Sequence, residues 1–344
     1  MKIAIGMRPF EGAWGGGNRF VAALTEGIAR AGHEAVHTLD DGDIDIILLV
    51  DLRTRSPNVT FGAGAILRYV VTRNPRALVV HRINECDERK SGRHRINRLL
   101  ARANYVADAT VFVGSWLAEL PIWRQHLRDP WTVILNGADP DIFHARGFVP
   151  WTGGGPMKLV THHWGYDRNK GFDVYEAIDS ALGDALWSAR FAMTYVGNLP
   201  RGFKFSNVRH VAPLNGTTLA DELRSHHAYV TASINEPGGN HQNEGALCGL
   251  PLIYRESGCL PEYCQRFGVG FADPEGFFQA ADHMAKEYET FVPLMGGYPH
   301  TSMEMVRNWV ALFDHLHSER QGILARRRLF RSPTTALLTQ VPLT

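Results

Sequence analysis

The chain is poor in cysteine and gives the few it has no pattern. Cys86, Cys248, Cys259 and Cys264 are the four in 344 residues. They show neither metal-ligand spacing nor a disulfide framework, so a reducing cytosol is the default setting. No run approaches the ~20 apolar residues of a membrane span. The opening Met1-Lys2-Ile3-Ala4-Ile5-Gly6 reads as a strand and not as a signal peptide. No cluster of metal-ligating residues stands out. Net charge is nearly absent, at a formal +1. That sum carries little, because the charge is unevenly placed: residues 89–107 hold six Arg or Lys and one His with no carboxylate. What the chain does have is length and apolar content. At 344 residues and 44% hydrophobic it can build two domains of ordinary size, each with its own core.

In order, Lys2–Gly6 is a first strand. A glycine-rich loop from Phe10 to Gly17 ends Trp14-Gly15-Gly16-Gly17. Asn18 is placed to cap a helix whose Phe20, Val21, Leu24 and Ile28 share one face. Gly32 stops it and Ala35-Val36 open a second strand. The glycines do not spell GxGxxG, but from Gly15 to Gly17, at Gly16 and Gly17 above all, the backbone could approach a phosphate. Ile44–Val50 and Ala77–Val80 are near-continuous apolar runs, as in parallel strands covered on both faces. The second delivers His81 to a strand end at the ligand-binding edge. The basic segment 89–107 reads as helical. In it Arg95, Arg98 and Arg102 fall at i, i+3 and i+7, on one face. That face is either merely solvated or a dock for an anionic acceptor or a membrane surface. Ala109–Val113 and Trp131–Leu135 are further strands. The composition breaks at Pro150–Pro156, where a domain boundary is expected.

The second half repeats the plan. Lys158–Thr161 is a strand, 162–171 a polar loop, and Phe172–Leu182 a helix. Phe191–Val196 and Val208–Val211 are strands, and Leu219–Ser225 a short helix. The central stretch then runs from Ala228 to Cys264. Ala228–Ser233 is a buried strand, Asn240–Cys248 a helix with Asn240 as N-cap and Gly249 as stop, and Leu252–Tyr254 the next strand. Glu236 lies at a strand's C-terminal end, in a loop loosened by Gly238 and Gly239, and Glu244 in the helix that follows. In an open α/β sheet that edge binds ligands. Residues 276–288 and 302–317 read as helices, the second crossing back to the N-terminal domain. Arg326–Thr344 reads as a loosely ordered tail. The fold class is α/β with two doubly wound domains facing a central cleft. The expected divisions are 1–150, 151–317 and a tail, 318–344.

Several stretches carry one resemblance. Glu236, Gly238, Gly239, Glu244, Ala246, Gly249 and Pro251 resemble the donor-site signature of retaining glycosyltransferases of family 4 (glycosyl transferases group 1), which have the GT-B fold. Lys170-Gly171 is similar to their diphosphate-binding Lys-Gly. Asn136-Gly137-Ala138-Asp139, with Phe143, is similar to their interdomain link. The family places an arginine five residues before the lysine, where this chain has Gly165; Arg168 is the nearest substitute. The resemblance implies two Rossmann-like domains, the first on the acceptor side and the second binding a UDP- or GDP-sugar. By it, Lys170 would neutralise the leaving diphosphate and Glu236 would contact the donor sugar. The amides around Gly238 and Gly239 would hold the sugar hydroxyls, Glu244 would bind the ribose hydroxyls, the helix that Asn240 caps would face the diphosphate with its positive end, and His81 would line the reaction centre. It also implies a front-face retaining mechanism without a metal, and no cofactor.

The expected function is therefore transfer of a sugar from a nucleotide-diphosphate sugar to a hydroxyl acceptor, which could be a glycan, a lipid-linked sugar or a small molecule. The expected location is cytoplasmic or peripheral to the inner face of a membrane. Two other readings compete: a sugar-nucleotide epimerase on the same fold, and a non-catalytic nucleotide- or nucleic-acid-binding module built on residues 89–107. The first lacks an obvious extra carboxylate pair for proton abstraction. The second would bind duplex DNA in a salt-dependent way.

Overall fold

A computed structural model describes residues 1–10, 16–53, 55–90, 95–127 and 129–341. The chain divides into two compact units: Met1–Asp87, Arg93–Leu135 and Met303–Thr344 in one, Glu88–Gly92 and Asn136–Ser302 in the other.

Among the described residues the first unit has a six-stranded sheet of β1 (Lys2–Ile5), β2 (Glu34–Val36), β3 (Ile46–Leu49), β4 (Leu78–Ile83), β5 (Ala109–Phe112) and β6 (Trp131–Val133). Its order is β2-β1-β3-β4-β5-β6 and every pairing is parallel. Continuous apolar strands such as Ile46-Ile47-Leu48-Leu49 suit it, because helices cover both faces. The helix Gly16–Arg30 buries Phe20, Val21, Leu24 and Ile28. Helix Ser302–Ser318 returns to this unit and buries Met305, Trp309, Phe313 and Leu316, with Trp309 set edge-on to Phe20 at 5.6 Å between ring centroids.

The second unit's sheet also has six strands: β7 (Met157–His163), β8 (Phe191–Gly197), β9 (Arg209–Val211), β10 (Ala228–Thr231), β11 (Leu252–Arg255) and β12 (Gly268–Phe271). The order is β12-β11-β10-β7-β8-β9, again all parallel. The chain runs outward from β7 to β9 and then returns to lay β10 on the other side of β7. The strand order thus reverses between β7 and β10, as it does between β1 and β3 in the first unit. Such a reversal leaves a crevice at the strands' C-terminal ends.

Several expectations change. The units part at Leu135/Asn136, ahead of the composition break at 150–156. Contacts tie Asn136 into the second unit: its N–H donates to the Tyr263 hydroxyl at 2.8 Å and its amide to Gly238 O at 2.6 Å. β4 continues past Val80 to Ile83 because β5 pairs with it along that length, so His81 lies inside a strand and not at its end. Asn18 lies inside its helix, where its side chain accepts from Phe10 N and donates to Phe10 O at 2.7 and 2.8 Å. Of the expected glycine loop, Gly16 and Gly17 open the helix, while Trp14 and Gly15 fall outside the described residues.

The basic segment is not one helix. Its helix is Ile96–Ala103, with Arg95 only its N-cap and a 3-10 turn Asn104–Val106 after it. Arg89 and Lys90 stand in a turn before it, and Arg93 and His94 lie outside the described residues. The tail is built into the first unit as far as Val341. Arg327 Nε donates to Asp108 Oδ1 at 2.8 Å, its terminal nitrogens reach Pro75 O and Ala77 O, and the Tyr105 hydroxyl donates to Leu329 O at 2.6 Å. Polar composition suggests a loose tail; here Arg327 pairs with the mostly buried Asp108 and holds the segment in place.

Candidate active site

The site grows from the reversal between β7 and β10. Those strands pair only at Ala228↔Leu159 and Tyr229↔Val160, whereas β7 stays paired to β8 through His163↔Gly197. Past Val160 the sheet therefore opens on one side, and His162 and His163 stand at the opening. His162 Nε2 lies 2.7 Å from Glu244 Oε2 and its Nδ1 3.0 Å from the Tyr229 hydroxyl. Glu244 and Tyr229 thus hold the two ring nitrogens of His162 and fix the orientation of the ring.

His163 and His241 lie side by side, their rings 4.7 Å apart. His163 Nε2 meets the Tyr175 hydroxyl at 2.9 Å, and His241 Nε2 meets Thr231 Oγ1 at 2.8 Å. Burial, with other positive groups nearby, holds His163 well below the ordinary imidazole value and pushes His241 down to about 3. Both rings are neutral near pH 7 and offer hydrogen bonds without charge.

Near His241 stands an ion pair. The turn Arg168–Lys170 is capped by Asp167, whose carboxylate accepts from Asn169 N at 2.9 Å, and Asn169 O accepts from Ile234 N at 2.7 Å. Gly171 ends the turn at φ 98° and starts the helix Phe172–Ala181; a Cβ there would meet that of Ala232 at 2.4 Å. This geometry carries Lys170 Nζ to 2.6 Å from Glu236 Oε2. Glu236 is only 4% exposed. Burial alone would raise its carboxyl, but the charges of Lys170 and Arg89 hold it well below the usual carboxylate range. Its carbonyl accepts from Cys259 N at 2.8 Å. The preceding Asn235 takes a left-handed φ of 52° and donates its amide to Glu88 O at 2.9 Å. That bond ties the turn bearing Arg89 into the second unit.

The structure thus gathers Lys170, Glu236, Gly238, Gly239, Asn240 and Glu244 around one crevice. Gly238 O accepts from Asn136 and Gly239 O from Gln242, both at 2.6 Å. Gln242 is fully buried, and its Oε1 has no hydrogen-bond partner among the described residues. Asn240 holds the N-cap position of helix His241–Leu247, but its side chain caps no N–H; it accepts from Asn243 Nδ2 at 3.3 Å instead.

Arg168 is not brought in. It is exposed and pairs with Glu176 at 2.8 Å. His81, Gly16, Gly17, Arg95, Arg98 and Arg102 belong to the first unit. There His81 is 1% exposed, its Nδ1 2.9 Å from Asn104 Oδ1, and burial lowers it to about 4. Sequence reasoning put Arg89 with the acceptor-side basic segment and missed both its effect on Glu236 and the network of His162, His163 and His241 with Tyr175 and Tyr229. The adjacent histidines at the end of an apolar run were a usable signal. Nothing in the sequence tied Arg89 to Glu236. Among the described residues no group of three or more His, Cys, Asp or Glu is placed to hold a metal ion.

No family model and no curated protein matches the sequence. The fold, however, is that of several solved structures. The chain is similar to sucrose-phosphate synthase (tll1590) from Thermosynechococcus elongatus, at 15% identity and a TM-score of 0.62 over 92% of this chain and 99% of that one. It is also similar to Anabaena Alr3699/HepE in complex with UDP-glucose, at 12% identity and a TM-score of 0.65 over 92% of this chain and 100% of that one. A glycosyltransferase from Rickettsia africae ESF-5 aligns at 13% identity and a TM-score of 0.66, over 95% of this chain and 99% of that one. At these identities the likeness is one of fold, and that fold is GT-B.

Proposed function

We propose that this chain is a retaining glycosyltransferase of the family 4 kind, moving a sugar from a nucleotide-diphosphate sugar to a hydroxyl acceptor. One observation carries the reading: a carboxylate and an ammonium, both mostly buried, are paired at the crevice where the second sheet reverses its strand order. A buried ion pair is costly to build and is weak evidence of a purely structural role. Relatives in fold with UDP and with UDP-glucose bound support a UDP-sugar as donor, with GDP-sugars the alternative.

In this reading the second unit binds the donor and the first serves the acceptor. Lys170 and Arg89 bring positive charge to the departing diphosphate, where negative charge develops. Glu236, kept ionised, accepts hydrogen bonds from sugar hydroxyls, and Glu244, oriented by His162, accepts from the ribose. The acceptor oxygen bonds to the anomeric carbon on the face the diphosphate leaves. The acceptor's proton passes to the leaving phosphate oxygen, and no glycosyl–enzyme bond forms. Two protein cations take the place a divalent metal would fill, so EDTA should leave activity unchanged.

Thermal unfolding with UDP, GDP and their sugars tests the donor site. The preferred donor at 100 times its Kd should add about 2.7 kcal/mol, and Lys170→Ala should abolish that gain. With donor alone the product should be at most slow hydrolysis. An epimerised sugar would overturn the transferase reading, and activity lost to EDTA and restored by Mg²⁺ would overturn the metal-free one.

A further inference from the structure

The first unit carries a surface unrelated to the donor crevice. From Arg320 to Thr344 the sequence contains five arginines and no carboxylate. The structure lays this tail along the flank made by helices Ala63–Thr72 and Ile96–Ala103. Gln340 Nε2 donates to Gly64 O at 3.3 Å, Arg102 donates to Val341 O at 3.2 Å, and Ser332 N donates to the Tyr105 hydroxyl at 3.1 Å. Its inward residues, Ala336 and Thr339, are buried.

Its outward residues are large and apolar: Phe330 is 66% exposed, Leu337 71%, Leu338 45% and Val341 53%. Four large apolar side chains exposed within the one segment Phe330–Val341 form a cluster of the kind that marks an interaction surface. Exposed arginines accompany them, namely Arg326, Arg328 and Arg331 on the tail and Arg98 on the neighbouring helix. A recess of about 240 Å3 opens beside them, with Arg326, Arg327, Arg328 and Arg331 against Asp108 and Asp129 in its wall. Arg327 already neutralises Asp108, so the recess keeps a positive excess.

We infer that this face docks on an anionic lipid surface. Phe330, Leu337 and Leu338 would enter the headgroup–acyl boundary, and the arginines would meet lipid phosphates. Charge complementarity selects the occupant. Arginines alone would suit a nucleic acid, and apolar residues alone a second copy of the chain. Together they suit a bilayer that is both charged and apolar. In the neighbouring basic segment Arg98 is exposed, whereas Arg102 is turned to the tail backbone.

Vesicle co-sedimentation of the full chain decides the matter. Vesicles of phosphatidylglycerol with phosphatidylcholine should bind it at low salt, and phosphatidylcholine alone should not. Raising the salt should release it. Arg326→Gln with Arg328→Gln should weaken partition on the order of thirtyfold. Leu337→Ser with Leu338→Ser should weaken it at least tenfold. Thermal unfolding of both variants should be unchanged. Inorganic phosphate at constant ionic strength should not displace the chain from vesicles; displacement would mean a phosphate site and overturn the inference. So would equal binding to both vesicle types, or none to either. Duplex DNA binding with vesicle binding untouched by the serine pair would assign the face to nucleic acid. A concentration-dependent dimer broken by the serine pair would assign it to self-association. The wild-type salt and lipid comparison stands even if a variant fails to fold.

Discussion

At Glu236 one side chain carries stability and, in the proposed reading, chemistry as well. Its position in a loop suggests that Glu236→Ala should spare the fold, but the structure says otherwise. The residue is buried and is the counter-ion of Lys170. Removing one partner of such a pair costs about 3–5 kcal/mol, because a buried charge is left alone. Glu236→Gln should therefore cost stability as well as at least a hundredfold in turnover, read by urea unfolding and initial rates. Lys170→Ala should lower turnover about a hundredfold, while Arg168→Ala, out on its pair with Glu176, should stay within twofold. A large loss at Arg168 would show that the Lys170 turn rearranges around the donor.

The buried histidines make a second residue-scale prediction. His81 and His241 sit at about 4 and about 3, below an unfolded value of about 6.5. As pH falls the unfolded chain takes up protons first. Stability is thus fully present above about 6.5 and is lost as pH falls toward 4. Glu236, whose carboxyl is held low, adds to the loss at more acid pH, because its stabilisation also disappears on protonation. His81→Gln should flatten the loss between pH 6.5 and 4 by about 3 kcal/mol in urea unfolding. An unchanged acid slope would mean the imidazole is not held neutral.

At the scale of elements, the turn Arg168–Lys170 and the helix behind it act as one part. Gly171 joins them in a left-handed conformation with the Ala232 backbone 2.6 Å from where a Cβ would stand. Gly171→Ala should cost about 2 kcal/mol or more in strain and displacement. It should raise the donor KM by moving Lys170, as thermal unfolding and donor titration would show. Most elements were legible, because continuous apolar runs and 3.6-residue periodicity survive in this sequence. The strand β12 was not. Two of its four residues are glycines, Gly268 and Gly270, which carry no strand signal. Glycine is needed at 268 because the Leu252 carbonyl fills the space of a Cβ.

At the scale of the whole molecule, the returning C-terminal segment completes the first unit. Arg327 and Asp108 are both nearly buried and paired, and Arg327 also ties down Pro75 and Ala77. Arg327→Met should cost about 3 kcal/mol by leaving Asp108 uncompensated, visible as a lower Tm. An unchanged Tm would mean the tail is dispensable to the unit.

The sequence alone determined that the chain builds two parallel-sheet α/β domains, most of their strands, several of their helices and the neighbourhood of Lys170, Glu236 and Glu244. These are local matters: periodicity, stop residues and short motifs act between residues close in the chain. Tertiary structure decided what depends on distant residues. It set Arg89 against Glu236, joined His162 to Glu244, sent Arg168 to Glu176, enclosed His81 beside Asn104, and bound the tail to Asp108. Burial and electrostatic pairing act through space, and a polar residue's role is fixed by the partner it meets there.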